Sequence, residues 1–524
     1  MIIAWYAIVL GAAYPLANGP VVDSWLYARV TRDFITSGRI RFPGFSQAMP
    51  FVQILYGALW AQLFGASDRS LVLSVTLLGA TGAVFFYLLA RRSGADHTNS
   101  LLATAILAFN PCYLFLSFSF MTEVPFLAAL LAGLLAASTA IQTRSLPMHW
   151  LAAALIVIAF LVRPFALAAI PGCALASAFD EARQSAPTSK IRLLLPTLAP
   201  YLVGLALCVL SSLVVARLQP TPFRLASHLR DLTSNLGRPP LAVYLRGVIL
   251  EPTLYLGLAL APLGIPLGLA TCPRRGFAVA TIVFTAAAAL VFSHREFFGL
   301  PQLTCHGGWL LTLYLRPSPE FAWNPSLQWL ILAAGSLGAA GLIESAVRAR
   351  RRLNSAALPL LFTGAIYWVA AIPLWLFNDR YQLPLVPASA LLLALLPIPK
   401  SMRVRVALLV SLGALGLFSL SGVRDYQRGL EAILEEVSKL KRQGVSRTNI
   451  DAGYALNGAD LYPFDADPSL DPTLSDVPMV TSISYREFTL AARPLPGTEI
   501  IRTISVPVLF GVRTRTLYVL HRTM

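Results

Sequence analysis

Charged side chains are scarce in this sequence of 524 residues. They make up 13% of the chain, whereas 56% of the residues are hydrophobic and the mean hydropathy is +0.67. Soluble globular domains carry about 25% charged residues, enough to cover their surface with polar groups. This composition excludes an ordinary soluble enzyme or binding domain, and we expect a lipid bilayer to solvate much of the chain.

Lysine is almost missing: only four of the 41 basic residues are lysines, and the formal net charge is +16. A basic surplus of this size can indicate a nucleic-acid partner. Here the arginines are scattered between apolar runs and form no continuous patch, so we expect no nucleic acid to bind. Arginine is permanently charged, and its planar group is well suited to phosphate.

Paired cysteines and nucleotide-binding motifs are also lacking. None of the five cysteines forms a CxxC pair, so the sequence predicts neither a disulfide framework nor a zinc site. There is no Walker loop, GxGxxG turn, GxSxG elbow or HExxH helix. The first apolar run, 2–16, has no basic region before it and no clear cleavage site, and we interpret it as a membrane helix.

Apolar runs long enough, or nearly long enough, to cross a bilayer recur along the chain; a spanning helix takes about 20 residues. They lie at 2–17, 69–90, 100–118, 123–142, 149–162, 164–179, 193–216, 248–270, 276–293, 326–346, 357–377, 382–399 and 404–421. The two that meet at Arg163 and Pro164 are short and could be half-membrane helices. The predicted number of transmembrane helices is about thirteen.

Basic residues fall mostly in alternate connections between these runs, which predicts a cytoplasmic N-terminus and an extracytoplasmic C-terminus. These connections contain Arg91 and Arg92, Arg144, 183–192, Arg274 and Arg275, 348–352 and 400–405. The first outer connection departs from the rule, because it carries Arg29, Arg32, Arg39 and Arg41.

The composition changes after residue 421. Residues 425–441 have the pattern of an amphipathic helix that ends at Gly444, and 448–450, 479–483 and 516–520 are typical of short strands. The predicted fold class is therefore an all-α polytopic membrane protein with a small C-terminal α/β extracytoplasmic domain. We place the transmembrane domain at 1–421 and the extracytoplasmic domain at 422–524.

The long first outer connection, 18–68, contains a second amphipathic helix at 24–37. Its apolar residues Trp25, Leu26, Val30, Phe34 and Ile35 recur at helical spacing. Asp23 is a natural N-cap and Gly38 a natural end signal. We expect this helix to lie along the membrane surface.

Two acidic residues are candidates for catalysis, because acids near a bilayer are costly and often functional. Asp23 follows the first membrane helix, and Glu123 opens the helix at 123–142; the predicted topology places both on the outer side. The alternatives are structural: Asp23 as a helix cap, and Glu123 as an acid favoured by the helix dipole.

The candidate substrate-binding residues are Tyr27, Arg163, His294, Arg295, Arg380 and Tyr381. Arg163 could bind a lipid phosphate through its bidentate fork, or could extend to the water interface. Arg380 and Tyr381 lie in a tight outer turn, where Arg380 could also pair with Asp379. His294 and His306 match no metal-ligand spacing, so we expect solvated or substrate-contacting residues and no metal.

Several short motifs follow one another along the chain: Asp23 after the first helix, Pro50 followed by LFG at 63–65, YLLARR at 87–92, MTE at 121–123, Arg163 with Pro164, DRYQLP at 379–384, and IDAGY at 450–454 with Asn457 and Gly458. Their order resembles that of the GT-C glycosyltransferases, above all the protein O-mannosyltransferase and bacterial aminoarabinose transferase branch. Ser24 follows Asp23 where several members carry a second acid.

The resemblance implies an enzyme of the bacterial inner membrane, with an extracytoplasmic active site, that transfers a sugar from a polyprenyl phosphate with inversion. The acceptor would be a lipid, glycan or protein, and no cofactor is expected. A carboxylate could take the acceptor proton, and cationic donors could stabilise the departing phosphate. The alternatives are a transporter or lipid flippase, or a ligase or oligosaccharyltransferase relative that uses a pyrophosphate-linked glycan.

The predicted orientation can be tested with a cysteine at Ser446, in the region expected to lie outside. In intact cells, Ser446→Cys should react with an impermeant thiol reagent, while the unsubstituted protein gives the background from its own five cysteines. Labelling that appears only after lysis would reverse the orientation, and would move Asp23 and Glu123 to the cytoplasmic side.

Overall fold

The chain is mostly helical and ends in a small β-sheet, which confirms the coarse prediction of fold class. This computed structural model describes residues 1–14, 16–21, 23–42, 50–184, 190–218, 251–271, 275, 278–286, 325–371, 379–399, 401–461 and 486–522. The predicted strand at 479–483 and the loop residues His294, Arg295 and His306 lie outside these residues.

Sixteen helices are numbered here in chain order. They are α1 (Ile2–Ala13), α2 (Ser24–Ser37), α3 (Phe51–Phe64), α4 (Asp68–Arg92), α5 (His97–Ala108), α6 (Pro111–Ser117), α7 (Glu123–Thr143), α8 (Leu146–Phe160), α9 (Ala169–Gln184), α10 (Lys190–Leu218), α11 (Glu251–Thr271), α12 (Pro325–Ala349), α13 (Leu358–Ala371), α14 (Leu385–Ala394), α15 (Met402–Arg442) and α16 (Tyr454–Leu461). The strands are β1 (Ile450–Asp451), β2 (Phe488–Ala491), β3 (Thr498–Val508) and β4 (Arg513–Arg522).

Several helices have the length and composition of membrane spans, so the chain is an integral membrane protein. Within the described residues, five segments are long and apolar enough to cross a bilayer, and a bent helix pair makes a possible sixth. Others among the predicted runs form shorter apolar helices of 10–17 residues. The total of about thirteen spans stays a prediction.

The bent pair replaces the single helix predicted at 100–118. Helices α5 and α6 meet at an angle of 67° around Asn110 and Pro111. Proline disfavours helical geometry in the residue before it. The Asn110 side chain then caps α6, because its Oδ1 accepts hydrogen bonds from the backbone N–H groups of Cys112 (3.0 Å) and Tyr113 (3.1 Å).

The amphipathic helix predicted at 24–37 is present with the same bounds. It ends as predicted at Gly38, which has φ +68° and donates its backbone N–H to the Phe34 carbonyl. A second helix in this connection, α3, was not predicted. It packs against α2 and α4, and brings its buried Gln53 toward the turn that precedes α7.

One helix of 41 residues, α15, replaces the separate span at 404–421 and amphipathic helix at 425–441. Its first half has the apolar composition of a membrane span, and its second half packs against β3. The predicted domain boundary at 421/422 falls inside this helix. A helix can change its surroundings without a break, because its backbone hydrogen bonds are satisfied internally.

The small sheet has the strand order β1-β2-β4-β3, with β1 and β2 parallel and the other pairs antiparallel. The strand predicted at 516–520 lies within β4, and the one predicted at 448–450 overlaps β1 only at Ile450. Strands β2 and β3 were not predicted. An ion pair between Arg502 and Glu436 joins β3 to α15.

Helices α11 and α12 approach so closely that their backbones are almost in contact. A Cβ atom added at Gly338 would overlap the Gly257 carbonyl group, and one at Gly341 would overlap Gly264. Small residues permit this approach between helices in membranes, where dispersion contacts rather than the hydrophobic effect hold helices together. The contact therefore depends on glycine at these positions.

We predict that Gly338→Ala destabilises the protein by about 1–3 kcal/mol, since the added methyl group forces the two backbones apart. Thermal unfolding of detergent-solubilised protein measures the effect. Gly413→Ala is the matched control, because Gly413 is also within a helix but has no atom within 4 Å of an added Cβ. Equal stability of the two variants would contradict the close contact.

Candidate active site

Four charged side chains from distant parts of the chain come together at one site: Asp23, Glu123, Arg163 and Arg380. Arg163 Nη1 pairs with Glu123 Oε1. Arg380 bridges the two acids, with Nη1 3.2 Å from Asp23 Oδ2 and Nε 3.5 Å from Glu123 Oε1. The structure thus places both candidate catalytic acids and two of the candidate binding residues in one cluster with balanced charge.

Glu123 is the first residue of α7 and is held by the turn before it. The Gln53 side-chain amide of α3 donates to the carbonyl oxygens of Phe120 (3.2 Å) and Met121 (3.3 Å). Gly57, one turn further along α3, leaves room for the Phe120 ring, which a Cβ atom would overlap. Helix α3 therefore fixes where α7 begins and where the Glu123 carboxylate lies.

Arg163 follows the end of α8 in an extended conformation, with φ −147° and ψ 131°. Pro164 favours this geometry in the preceding residue. Besides Glu123, the Arg163 guanidinium contacts Thr122 Oγ1 at 3.1 Å, and its Cζ lies 5.3 Å and 5.4 Å from the ring centres of Phe165 and Tyr381. Only 8% of Arg163 is exposed, so it is buried in an ion pair and does not extend to water.

Arg380 lies in a single helical turn, Asp379–Gln382, that precedes α14. A hydrogen bond from α13 holds this turn in place: the Tyr367 hydroxyl donates to the Tyr381 carbonyl oxygen at 2.5 Å. Tyr381 stacks beside both arginines, since the Arg380 Cζ lies 5.5 Å from its ring centre. The structure therefore places the candidates Arg380 and Tyr381 at the charged cluster.

The Asp23 carboxylate makes contacts that a helix cap would not make. It accepts no capping hydrogen bond from α2. Its Oδ1 instead accepts a hydrogen bond from the Tyr454 hydroxyl at 2.8 Å, and its Oδ2 faces Arg380. The Ser24 hydroxyl, next to Asp23, accepts from the Val21 N–H at 2.7 Å.

Tyr27 lies on α2 close to the same charges and is 6% exposed. Burial, and then the Asp23 charge, raise the pKa of the Tyr27 phenol well above its usual value of about 10. Tyr27 therefore keeps its proton at any physiological pH, and can act as a hydrogen-bond donor but not as a base.

A small cavity opens beside the charged cluster. Its wall includes Glu123, Arg163 and Arg380 together with the aromatic residues Phe165, Tyr367 and Tyr381. The two acids differ in access: the side chain of Asp23 is 28% exposed, whereas that of Glu123 is 4% exposed. Within the described part of the chain, no three His, Cys, Asp or Glu side chains lie together as a metal site would require.

The sequence did not single out Tyr454, or the cavity residues Phe165 and Tyr367, as candidates. Tyr454 lies 431 positions from Asp23, at the start of α16 in the C-terminal region. The only signal was its place in the IDAGY motif at 450–454. The candidates His294 and Arg295 lie outside the described residues and stay predictions.

Comparison with known proteins supports the resemblance over part of the chain. A family model for dolichyl-phosphate-mannose-protein mannosyltransferases matches residues 49–211, which include Glu123 and Arg163. This match confirms the predicted similarity to the GT-C glycosyltransferases, although it covers less than half of the chain. No protein with a curated description matches.

The solved structures that are similar at low identity include the oligosaccharyltransferase AglB from Archaeoglobus fulgidus with an inhibitory peptide and a dolichol-phosphate, at 17% identity over 81% of this chain and 55% of that chain, with a TM-score of 0.40. They also include ArnT from Cupriavidus metallidurans bound to undecaprenyl phosphate, at 14% identity over 99% of this chain and 97% of that chain, with a TM-score of 0.41. A third is the arabinosyltransferase EmbB from Mycobacterium smegmatis, at 12% identity over 81% of this chain and 42% of that chain, with a TM-score of 0.32. The chain spans about half the length of AglB. These similarities are too distant to assign a reaction.

We predict that Arg163→Gln destabilises the protein by about 3–5 kcal/mol, because it leaves the buried Glu123 carboxylate without its closest partner. The double variant with Glu123→Gln should recover part of this loss, since neither charge is then buried. Arg428→Gln is the control, because it breaks a partly exposed ion pair with Glu431 and should cost less than about 1 kcal/mol. Additive losses in thermal unfolding would contradict the pairing.

Proposed function

We propose that this protein is a membrane glycosyltransferase that moves a sugar from a polyprenyl-phosphate donor to an extracytoplasmic acceptor. The observation that carries the proposal is the cluster in which two arginines hold two carboxylates of unequal exposure beside an aromatic-lined cavity. The family match at 49–211 supports it, since that segment contributes Glu123 and Arg163.

Asp23 is assigned as the general base, because its carboxylate is the more accessible of the two. In the proposed reaction the acceptor hydroxyl loses its proton to Asp23 and attacks the anomeric carbon. The bond between that carbon and the phosphate oxygen breaks, and the phosphate leaves with the electron pair. A single displacement of this kind inverts the anomeric configuration.

The arginines are assigned to the departure of the phosphate. Negative charge grows on the phosphate oxygen as the bond breaks, and preorganised cationic donors stabilise such charge most strongly where water is excluded. Arg163 and Arg380 are mostly buried and lie at the cavity wall. Glu123 orients both guanidinium groups, and Tyr27, Tyr381, His294 and Arg295 are proposed to contact the substrates.

The proposed topology places this chemistry outside the cytoplasm of a bacterial cell. About thirteen helices would cross the inner membrane, with the N-terminus cytoplasmic and the C-terminal region outside. A lipid-linked donor would approach from the bilayer, and a lipid, glycan or protein acceptor from the outer side. No bound cofactor is required by this reaction.

The proposal is tested by incubating membranes that contain the protein with a panel of polyprenyl-phosphate sugars and analysing lipids and glycans by mass spectrometry. Transfer of one sugar, absent from membranes without the protein, is the expected result. Transfer only from pyrophosphate-linked glycans would instead favour a ligase or oligosaccharyltransferase. Movement of lipid between leaflets without any glycosidic product would favour a flippase.

We predict that Asp23→Asn lowers kcat by about 10²- to 10⁴-fold, the usual contribution of a general base, while the KM for the donor changes little. Asparagine keeps the size and still caps helices, so a purely capping role predicts almost no loss. Asp96→Asn is the matched control, because the Asp96 side chain caps α5 through the Asn99 N–H at 2.8 Å.

The companion variant Glu123→Gln should lower kcat less than Asp23→Asn if Glu123 only orients the arginines. Full turnover in Asp23→Asn together with an inactive Glu123→Gln would reverse the two assignments. Full turnover in both folded variants would remove the chemical basis of the transferase proposal.

A further inference from the structure

The Tyr454 hydroxyl reaches the proposed catalytic base from the other end of the chain. It donates to Asp23 Oδ1 at 2.8 Å, while Arg380 faces Oδ2 at 3.2 Å. We propose that Tyr454 is a positioning residue for Asp23, so that the C-terminal region completes the active site. This inference rests on the proposed function, because it assigns Asp23 the role of base.

Hydrogen bonds hold the backbone turn before Tyr454 and so determine where this side chain lies. Gly453, between β1 and α16, has φ +87°, which favours glycine. Asp451 Oδ1 accepts hydrogen bonds from the Gly453 N–H (3.1 Å) and from Asn457 Nδ2 (2.7 Å). Asn457 Oδ1 accepts in turn from the Ala452 N–H at 3.1 Å. Asp451 and Asn457 are both buried, so the turn is fixed by a closed set of hydrogen bonds.

Arg447 extends the same network across the short helix α16. Its Nε pairs with Asp460 at 2.6 Å, its Nη2 donates to Asn457 Oδ1 at 3.2 Å, and its Nη1 donates to the Ile450 carbonyl at 2.6 Å. The guanidinium therefore ties both ends of the segment from β1 to α16 together.

Helix α16 is also packed directly against α2. A Cβ atom at Gly458 would overlap the Trp25 indole, which is 1% exposed. The Trp25 and Tyr454 rings meet edge to face, with their centres 6.3 Å apart. Because the two helices are so close, the Tyr454 ring is held in one position, with its hydroxyl directed at Asp23.

A general base must hold its acceptor oxygen within hydrogen-bond distance of the substrate, and small displacements lower the rate steeply. A carboxylate can rotate unless its oxygens are held. With Tyr454 on one oxygen and Arg380 on the other, the plane of the Asp23 carboxylate is fixed. Each carboxylate oxygen can accept a second hydrogen bond, so the acceptor hydroxyl can still be received.

The first test is Tyr454→Phe, which removes the hydroxyl and keeps the ring beside Trp25. We expect kcat to fall by about tenfold or more, since hydrogen bonds to charged groups are among the stronger ones, with little change in the KM for the donor. Tyr201→Phe is the matched control, because it removes a buried hydroxyl that bonds to His149 at 2.9 Å, away from Asp23. Unchanged kcat in Tyr454→Phe would overturn the inference.

The second test separates positioning from simple packing. If Tyr454 acts through Asp23, Tyr454→Phe should cost little further activity in single-turnover assays once Asp23→Asn is present. A packing role predicts that the two losses multiply, and this result would overturn the inference. Gly458→Ala gives a further check, because it displaces α16 from Trp25 and should reproduce the kcat loss of Tyr454→Phe.

A readout that needs no activity separates this inference from the proposed function. The same cycle of Asp23→Asn and Tyr454→Phe, followed by thermal unfolding, should give coupled rather than additive losses of stability. If the two losses of stability are coupled but the protein transfers no sugar, the proposed function and the positioning role are refuted, and the contact between Tyr454 and Asp23 stands. If the two losses of stability are additive and sugar transfer is normal, the contact is refuted and the proposed function stands.

Discussion

The buried ion pair between Glu123 and Arg163 is the constraint on which the site depends. Their side chains are only 4% and 10% exposed, and an isolated charge in such surroundings would be costly. Each charge is tolerated because the other is present, so the start of α7 and the end of α8 must meet at this point. Arg380 joins through Glu123 and Asp23, which brings the segment before α14 to the same place.

The long helix α15 extends this arrangement beyond the apolar region. Its Gln427 side chain accepts a hydrogen bond from the Ala17 backbone N–H at 2.9 Å, and its Tyr426 ring meets Phe115 edge to face. Further along, Glu436 pairs with Arg502 of the sheet. One rigid element therefore sets the distance between the connection that carries Asp23 and the region that carries Tyr454.

Local sequence patterns predicted those helices whose position depends mainly on residues close together in the chain. The amphipathic spacing and Gly38 gave the bounds of α2, and the apolar runs gave most of the long helices. The prediction of two separate helices in the range of α15 was wrong. The polarity of the sequence changes after residue 421 because the surroundings of the helix change, while its backbone stays helical. The Asp23 contacts with Arg380 and Tyr454 join residues 357 and 431 positions apart, and no local pattern contains such information.

The balanced charge of the cluster bears on how an anionic donor would be held. Two carboxylates already face two guanidinium groups, so there is no surplus of positive charge among these four residues to attract a phosphate. Arginine carries five N–H donors in a fixed fork and can serve two anions at once. In the proposed reaction, the phosphate would share the arginines with Glu123 and Asp23. Sharing weakens the hold on Asp23 first, since its side chain is 28% exposed and that of Glu123 only 4%. This difference in exposure is the physical reason to assign proton transfer to Asp23 in the proposed reaction. Tyr454 would keep the Asp23 carboxylate in place while Arg380 also binds the phosphate.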